Sequence, residues 1–188
     1  VVSLPEQLHE ITGIQYGDIF TSAYMGGSTT ALTGKDYQRN ADGQVIVDEN
    51  GYPKINPNKN EYIGNREAKF QAGLNSSMNI YGIQLSFLFD GRVGGDVVNV
   101  TGRNLISSGN HSILEKYRGR QVVFDGVFET TDEAGNVVYL PNTKPITLNQ
   151  TTIINYFYNV STNFIEDGSY LRLSYVTLGY DFAKLMKN

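Results

Sequence analysis

Residues 69–80 read KFQAGLNSSMNI, residues 81–90 read YGIQLSFLFD, and almost nothing separates them. In the first run Phe70, Ala72, Leu74, Met78 and Ile80 take one face of an extended chain, with Ser76 as the exception. Lys69, Gln71, Gly73, Asn75, Ser77 and Asn79 take the other. In the second run Tyr81, Ile83, Leu85, Phe87 and Phe89 alternate with Gly82, Gln84 and Ser86. A period of two held this long specifies strands with two unlike faces. Strands of globular proteins run about five or six residues, whereas a strand that crosses a bilayer needs ~9–11. Two such strands that abut leave room only for a tight turn around 79–82, so they form a hairpin.

Two further strands follow from the same test. Residues 13–24 (GIQYGDIFTSAY) keep Ile14, Tyr16, Phe20 and Tyr24 in one phase, which Asp18 breaks. Residues 169–182 alternate twice with a phase change: Leu171, Leu173 and Tyr175 in one phase, then Val176, Leu178, Tyr180 and Phe182 in the other. One β-bulge near 174–176 puts both sets on the same side. Between the strands lie long polar segments, 25–68 and 91–168. The turn pairs Asp42–Gly43 and Asn50–Gly51 place residues 44–48 in a small hairpin inside the first. In the second, residues 148–158 read equally as a short helix or a strand, with Ile153, Ile154 and Phe157 at helical spacing. The connections therefore run long, short, long, with a further short turn expected after residue 182. A compact soluble domain rarely carries structureless loops of this length. An outer-membrane barrel, with short turns on one side and long loops on the other, does.

Composition limits the chemistry. The 188 residues carry 15 Lys and Arg against 19 Asp and Glu, a net charge of −4 that gives no electrostatic reason to expect nucleic acid. There is no Cys, which excludes disulfides, thiolate catalysis and Cys-ligated metal. His9 and His111 are the only two histidines, too few for a histidine metal site or triad. The 13 Tyr, nine Phe and 20 Gly suit strands and turns. No apolar run approaches the ~20 residues of a membrane-spanning helix, but a transmembrane barrel shows no such run either. The chain opens on Val1 with no visible signal peptide, and is read as a mature, processed or internal piece.

Four stretches carry a resemblance to a known family: NADGQVIVDENGYP (40–53), EYIGNREAKFQAGLNSSMNIYGIQLSFLFDGRVGGDVVN (61–99), YLPNTKPIT (139–147) and GSYLRLSYVTLGYDF (168–182). Together they resemble the C-terminal barrel portion of the SusC/RagA family of TonB-dependent outer-membrane transporters of Bacteroidota. One local departure is Glu67, where the family usually has Pro. Family members are several times longer, with a plug domain, a TonB-contacting segment near the N-terminus and a final strand beyond the equivalent of residue 188. None of these has a counterpart in this chain.

The resemblance implies an all-β fold, a segment of a large antiparallel transmembrane β-barrel. Barrels of this class have about 22 strands around a plugged lumen. Residues 13–24, 69–80, 81–90 and 169–182 would be late strands, with 25–68 and 91–168 as long extracellular loops. It implies localisation in the bacterial outer membrane and import of glycans or oligopeptides. The implied partners are a SusD-like lipoprotein lid, the TonB complex acting through the absent N-terminal region, and membrane lipid. No cofactor and no catalytic residue is expected, since no bond is made or broken. The lipid-facing set is Phe70, Ala72, Leu74 and Met78; then Ile83, Leu85, Phe87 and Phe89; then Leu171, Leu173, Val176 and Leu178. Lys69, Gln71, Asn75, Gln84 and Arg172 would point into the lumen, and Tyr and Phe near the strand ends would form the interfacial girdle.

In the second loop Tyr117, Arg118 and Arg120 are candidate substrate contacts, because aromatic and Arg side chains stack on sugars and clamp carboxylates; packing within the loop or a contact with the lid fits them equally well. Other features have plainer readings. Asp42, Asp48 and Glu49 match no calcium-loop spacing. Glu166 and Asp167 read as a solvated turn before a strand. GRVGG at 91–95 lacks the Lys and the helix of a phosphate loop. The rival reading is a secreted β-sandwich that binds glycans or adheres to surfaces, which predicts shorter strands and a face buried by a second sheet.

Overall fold

The computed structural model describes residues 15–23, 28–58, 60–180 and 182. Strands β1 (Gln15–Tyr16), β2 (Ile19–Ser22), β3 (Ala31–Gly34), β4 (Ile46–Val47) and β5 (Glu61–Asn65) come first. The long pair β6 (Ala68–Ile80) and β7 (Ile83–Gly94) follows, then β8 (Asp96–Val98), α1 (Val100–Ser107) and α2 (Ser112–Tyr117). Short strands β9 (Gln121–Val123), β10 (Val127–Thr131), β11 (Val137–Pro141) and β12 (Pro145–Thr147) lead to α3 (Gln150–Ile153), which widens into a π turn over Ile154–Tyr158. A 3-10 turn (Ser161–Phe164), β13 (Ile165–Asp167) and β14 (Tyr170–Tyr180) complete the order. The described residues are mostly strand, paired almost throughout antiparallel, with few helices.

The chain divides into two compact units: residues 1–64 with 98–166, and residues 65–97 with 167–188. The first unit is built largely from the segments that read as loops, together with part of the expected strand over 13–24. Its sheet has the order β1-β2-β3-β5, and its core is Ile19, Leu32, Ile106, Leu114, Ile153 and Phe164. The single strand expected over 13–24 is instead a hairpin, at least over its described part. Gly17 at φ +69° turns the chain between Gln15–Tyr16 and Ile19–Ser22, a conformation that a β-strand residue does not adopt. Residues 13, 14 and 24, and the turn expected after residue 182, lie outside the described residues.

The segment 91–168 is not one open loop, because short helices and strands fill it. The two helices α1 and α2 are too short to show a helical period, but their caps are local. Asn99 Oδ1 accepts from Gly102 N–H at 2.6 Å, and His111 Nδ1 accepts from Ile113 N–H at 3.2 Å. Asn149 does the same for α3, accepting from Thr152 N–H at 2.9 Å. His111, isolated in sequence, is thus a helix cap.

One turn recurs three times in this unit. In NADGQ (40–44), DENGY (48–52) and DEAGN (132–136), an Asn or Asp side-chain oxygen accepts the N–H groups two and four residues on. The fourth residue is Gly at φ +79°, +87° and +87°, which a side chain would strain. Asp48 is therefore a turn former. The hydrogen bonds donated by Asn136 hold the Asp132 carboxyl below the usual Asp range, with Ala134 N–H adding to the effect. A folded-state pKa below the unfolded value gives stability that is present above the unfolded pKa and lost as pH falls through the folded pKa. On acidification below the ordinary Asp range, the protection of the amides in the turn of 132–136, taken relative to their intrinsic exchange rates, should therefore fall. The Asn40 turn, with no proton to gain, should not change. Equal responses would show that the carboxylate does not hold the turn.

Candidate functional site

The second unit is a three-stranded antiparallel sheet in the order β14-β7-β6. Its strands are 11, 12 and 13 residues long, beyond what a globular strand normally needs. Strands β6 and β7 meet in a two-residue loop, Tyr81–Gly82, with both residues at positive φ (+52° and +86°). That twist matches a hairpin. Tyr81 therefore leaves the strand face on which alternation placed it, and stands in the turn almost fully exposed (97%).

Residues directly opposite in a ladder share a face, so the register decides what each face is made of. The rows Leu74–Phe89–Leu173, Ser76–Phe87–Val176 and Met78–Leu85–Leu178 lie on one side. The rows Gly73–Asp90–Arg172, Asn75–Leu88–Tyr175 and Ser77–Ser86–Thr177 lie on the other. All twelve residues of the expected apolar set fall on the first side, together with Ile80, Val93 and Tyr180. Gln71, Asn75, Gln84 and Arg172 fall on the second, and Lys69 sits at a register shift between Ala68 and Phe70.

The phase change in β14 is resolved by an irregularity between Leu173 and Tyr175 that leaves Ser174 unpaired. The extra residue brings Val176 and Leu178 onto the side of Leu171 and Leu173. It also corrects the placement of Tyr175. Alternation grouped Tyr175 with Leu173, but the bulge turns it to the polar side, where its hydroxyl donates to Asn75 Oδ1 at 3.0 Å.

The polar side is cross-linked strand to strand. Arg172 Nε donates to both Asp90 carboxylate oxygens, at 3.0 and 2.9 Å, and the Ser174 hydroxyl donates to the same carboxylate. Ser77 and Ser86 bond across β6 and β7 at 3.0 Å. The Arg172 guanidinium lies 5.1 Å from the Tyr170 ring centre. Among the described residues the apolar side has no such links, and Leu74 and Leu171 remain 61% and 79% exposed. A sandwich would bury this face under a second sheet.

Gly168 starts β14. Its N–H donates to the Gly95 carbonyl at 3.0 Å, and a Cβ there would fall inside contact distance of that same oxygen. Gly168→Ala should cost about 2–3 kcal/mol through this backbone clash. It should be read as faster amide exchange at Gly94, whose N–H donates to Ser169 Oγ at 2.8 Å. Unchanged exchange at Gly94 would show that the approach is not needed.

The three loop candidates do not form one site. Tyr117 ends α2 and lines an apolar cavity. Arg118 donates to the Gly109 carbonyl at 2.9 Å and lines a separate polar cleft beside Ser107 and Gln150. Arg120 is exposed, and only its backbone is tied, to Tyr117 and Leu148. The residue that sequence reasoning missed is Arg103. It is 7% exposed, pairs with Asp18, donates to the Tyr16 carbonyl at 2.9 Å and lies 4.8 Å from the Tyr158 ring centre. Its one trace in the sequence is Asp18, the charge that breaks the alternation of 13–24.

No protein-family model matches the chain. Over 179 residues, 93% of its length, it is 22% identical to TonB-dependent receptor P3 of Formosa agariphila. The chain is similar to a TonB-dependent receptor. It spans only 16% of that relative's length, so the similarity concerns one part of a much longer protein. Among the described residues no helix is long and apolar enough to cross a membrane, a statement that does not touch strand crossings.

Proposed function

We propose that this chain is part of a TonB-dependent transporter of the bacterial outer membrane, of the SusC/RagA type, and that its second unit supplies barrel strands. The carrying observation is the register of β14-β7-β6, which gathers Leu, Phe, Val and Met on one side of strands long enough to cross a bilayer. The apolar side would face lipid and the Asp90–Arg172 side a wet lumen. Tyr81, Phe70 and Tyr180, near the strand ends, would form the interfacial girdle. The outer edges of β6 and β14 are unpaired among the described residues, and lipid does not tolerate open edges. Neighbouring strands of a larger barrel would close them.

In this reading the first unit is extracellular. A SusD-like lipoprotein lid would meet it, cargo would be a glycan or oligopeptide, and energy would come through TonB acting on another region of the protein. The chain acts by binding and passage, without catalysis. The absence of Cys from these residues allows a direct test. In intact cells, Ala134→Cys in the turn of the first unit should react with a membrane-impermeant maleimide. Leu74→Cys should be protected from the same reagent. Reaction at Leu74 with protection at Ala134 would reject the reading.

A further inference from the structure

The first unit contains a cavity of about 180 Å³ bounded by Ile106, Leu114, Val122, Ile146, Ile153 and Phe157. Among the described residues no charged side chain lines it. Ile113 and Tyr117 also line it, and both are partly exposed, so it is reached from solvent.

The walls are held from outside. The β9–β12 ladder fixes Val122 against Ile146. Tyr156, on the π turn, stacks on Tyr52 at 4.7 Å, and its carbonyl accepts from the Tyr37 hydroxyl at 2.8 Å. Tyr37 is itself buried against Phe124, 5.7 Å between ring centres, and accepts from Asn163 Nδ2 at 2.8 Å. Burial pushes the Tyr37 phenol up, so it stays a donor across the ordinary pH range. A π turn in a helix commonly marks a functional position. Walls tied in this way do not collapse to fill the space. An apolar space of this size has room for a molecule such as benzene.

We infer that this cavity is a binding site for one compact apolar ligand, about the size of a six-membered ring with a short alkyl arm. The lining has no fixed charge to orient a polar ligand, so selection is by size and shape. The ligand gains contacts that the facing walls lack. This inference does not depend on the transporter reading.

The test uses the full-length protein that carries this chain, in detergent, with Ile methyl groups labelled for NMR and toluene as the probe. Toluene should produce saturable shifts at Ile106, Ile146 and Ile153. Thr152→Leu and Val122→Phe fill the cavity from different walls. Each should weaken binding at least tenfold while the remaining methyl spectrum stays in place. If one variant fails to fold, the other decides. Non-saturable shifts, binding of unchanged strength in a filled variant that folds, or no shift because another segment of the protein occupies the cavity, would each overturn the inference.

Discussion

Leu74→Arg is expected to block membrane assembly of the protein, while Asn75→Arg leaves it nearly intact. The two positions are neighbours at the middle of β6, so they share a depth and differ only in face. Leu74 stands in the row with Phe89 and Leu173, and Asn75 in the row with Leu88 and Tyr175. An Arg facing lipid at the midplane of a barrel costs about 2–4 kcal/mol, and the same charge in the lumen costs far less. Asn75→Arg also loses the hydrogen bond from Tyr175, a loss of about 1 kcal/mol. The measurement is the amount of folded, heat-modifiable protein in the outer-membrane fraction. Leu85→Arg, on the same side but opposite Met78 and nearer the turn, should have an effect of the same sign and smaller size. Equal yields for Leu74→Arg and Asn75→Arg would remove the assignment of a lipid face.

Arg103→Met is expected to destabilise the first unit by about 3 kcal/mol, with the sheet of the second unit unaffected. Arg103 ties α1 to the β1–β2 turn: its guanidinium meets Asp18 and the Tyr16 carbonyl and covers the Tyr158 and Phe164 rings. Met keeps the apolar stem but leaves that carbonyl without its donor. The loss stays at the lower end for a broken buried pair because Lys35 remains 3.3 Å from Asp18, whose side chain is 25% exposed. Amide exchange in α1 and at residues 15–22 should rise together, and exchange in β7 should not. A uniform rise, or none, would show that Arg103 does not hold this junction.

Much of the sheet was legible because alternation is a local property. Each of Phe70, Ala72, Leu74 and Met78 declares its face through its immediate neighbours, and the phase slip in 169–182 marks a bulge before any coordinate is seen. Tyr175 and Tyr81 were misplaced for the same reason. Alternation counts residues, and it cannot say on which side of an unpaired residue the slip occurs, or where a strand gives way to a turn. The first unit was hardly legible. Asn99, His111 and Asn149 look like ordinary loop residues until their oxygens and nitrogens are seen capping helices too short to show a period. The loop candidates Tyr117 and Arg118 lie one residue apart in sequence, yet they line different spaces because the end of α2 turns successive side chains apart.

The sequence by itself determined that this chain forms long strands with one apolar and one polar face, because a side-chain period of two is written residue by residue. It also marked the turns at 40–44 and 48–52, where an Asn or Asp three residues ahead of a Gly accepts the turn's own N–H groups. Only the tertiary structure decided that β14 lies beside β7 with Ser174 left out of the ladder. It alone decided that Asp18 meets Arg103 across 85 positions of sequence, and that residues read as loops enclose a core and a cavity. These depend on contacts between distant segments, which local sequence pattern does not encode.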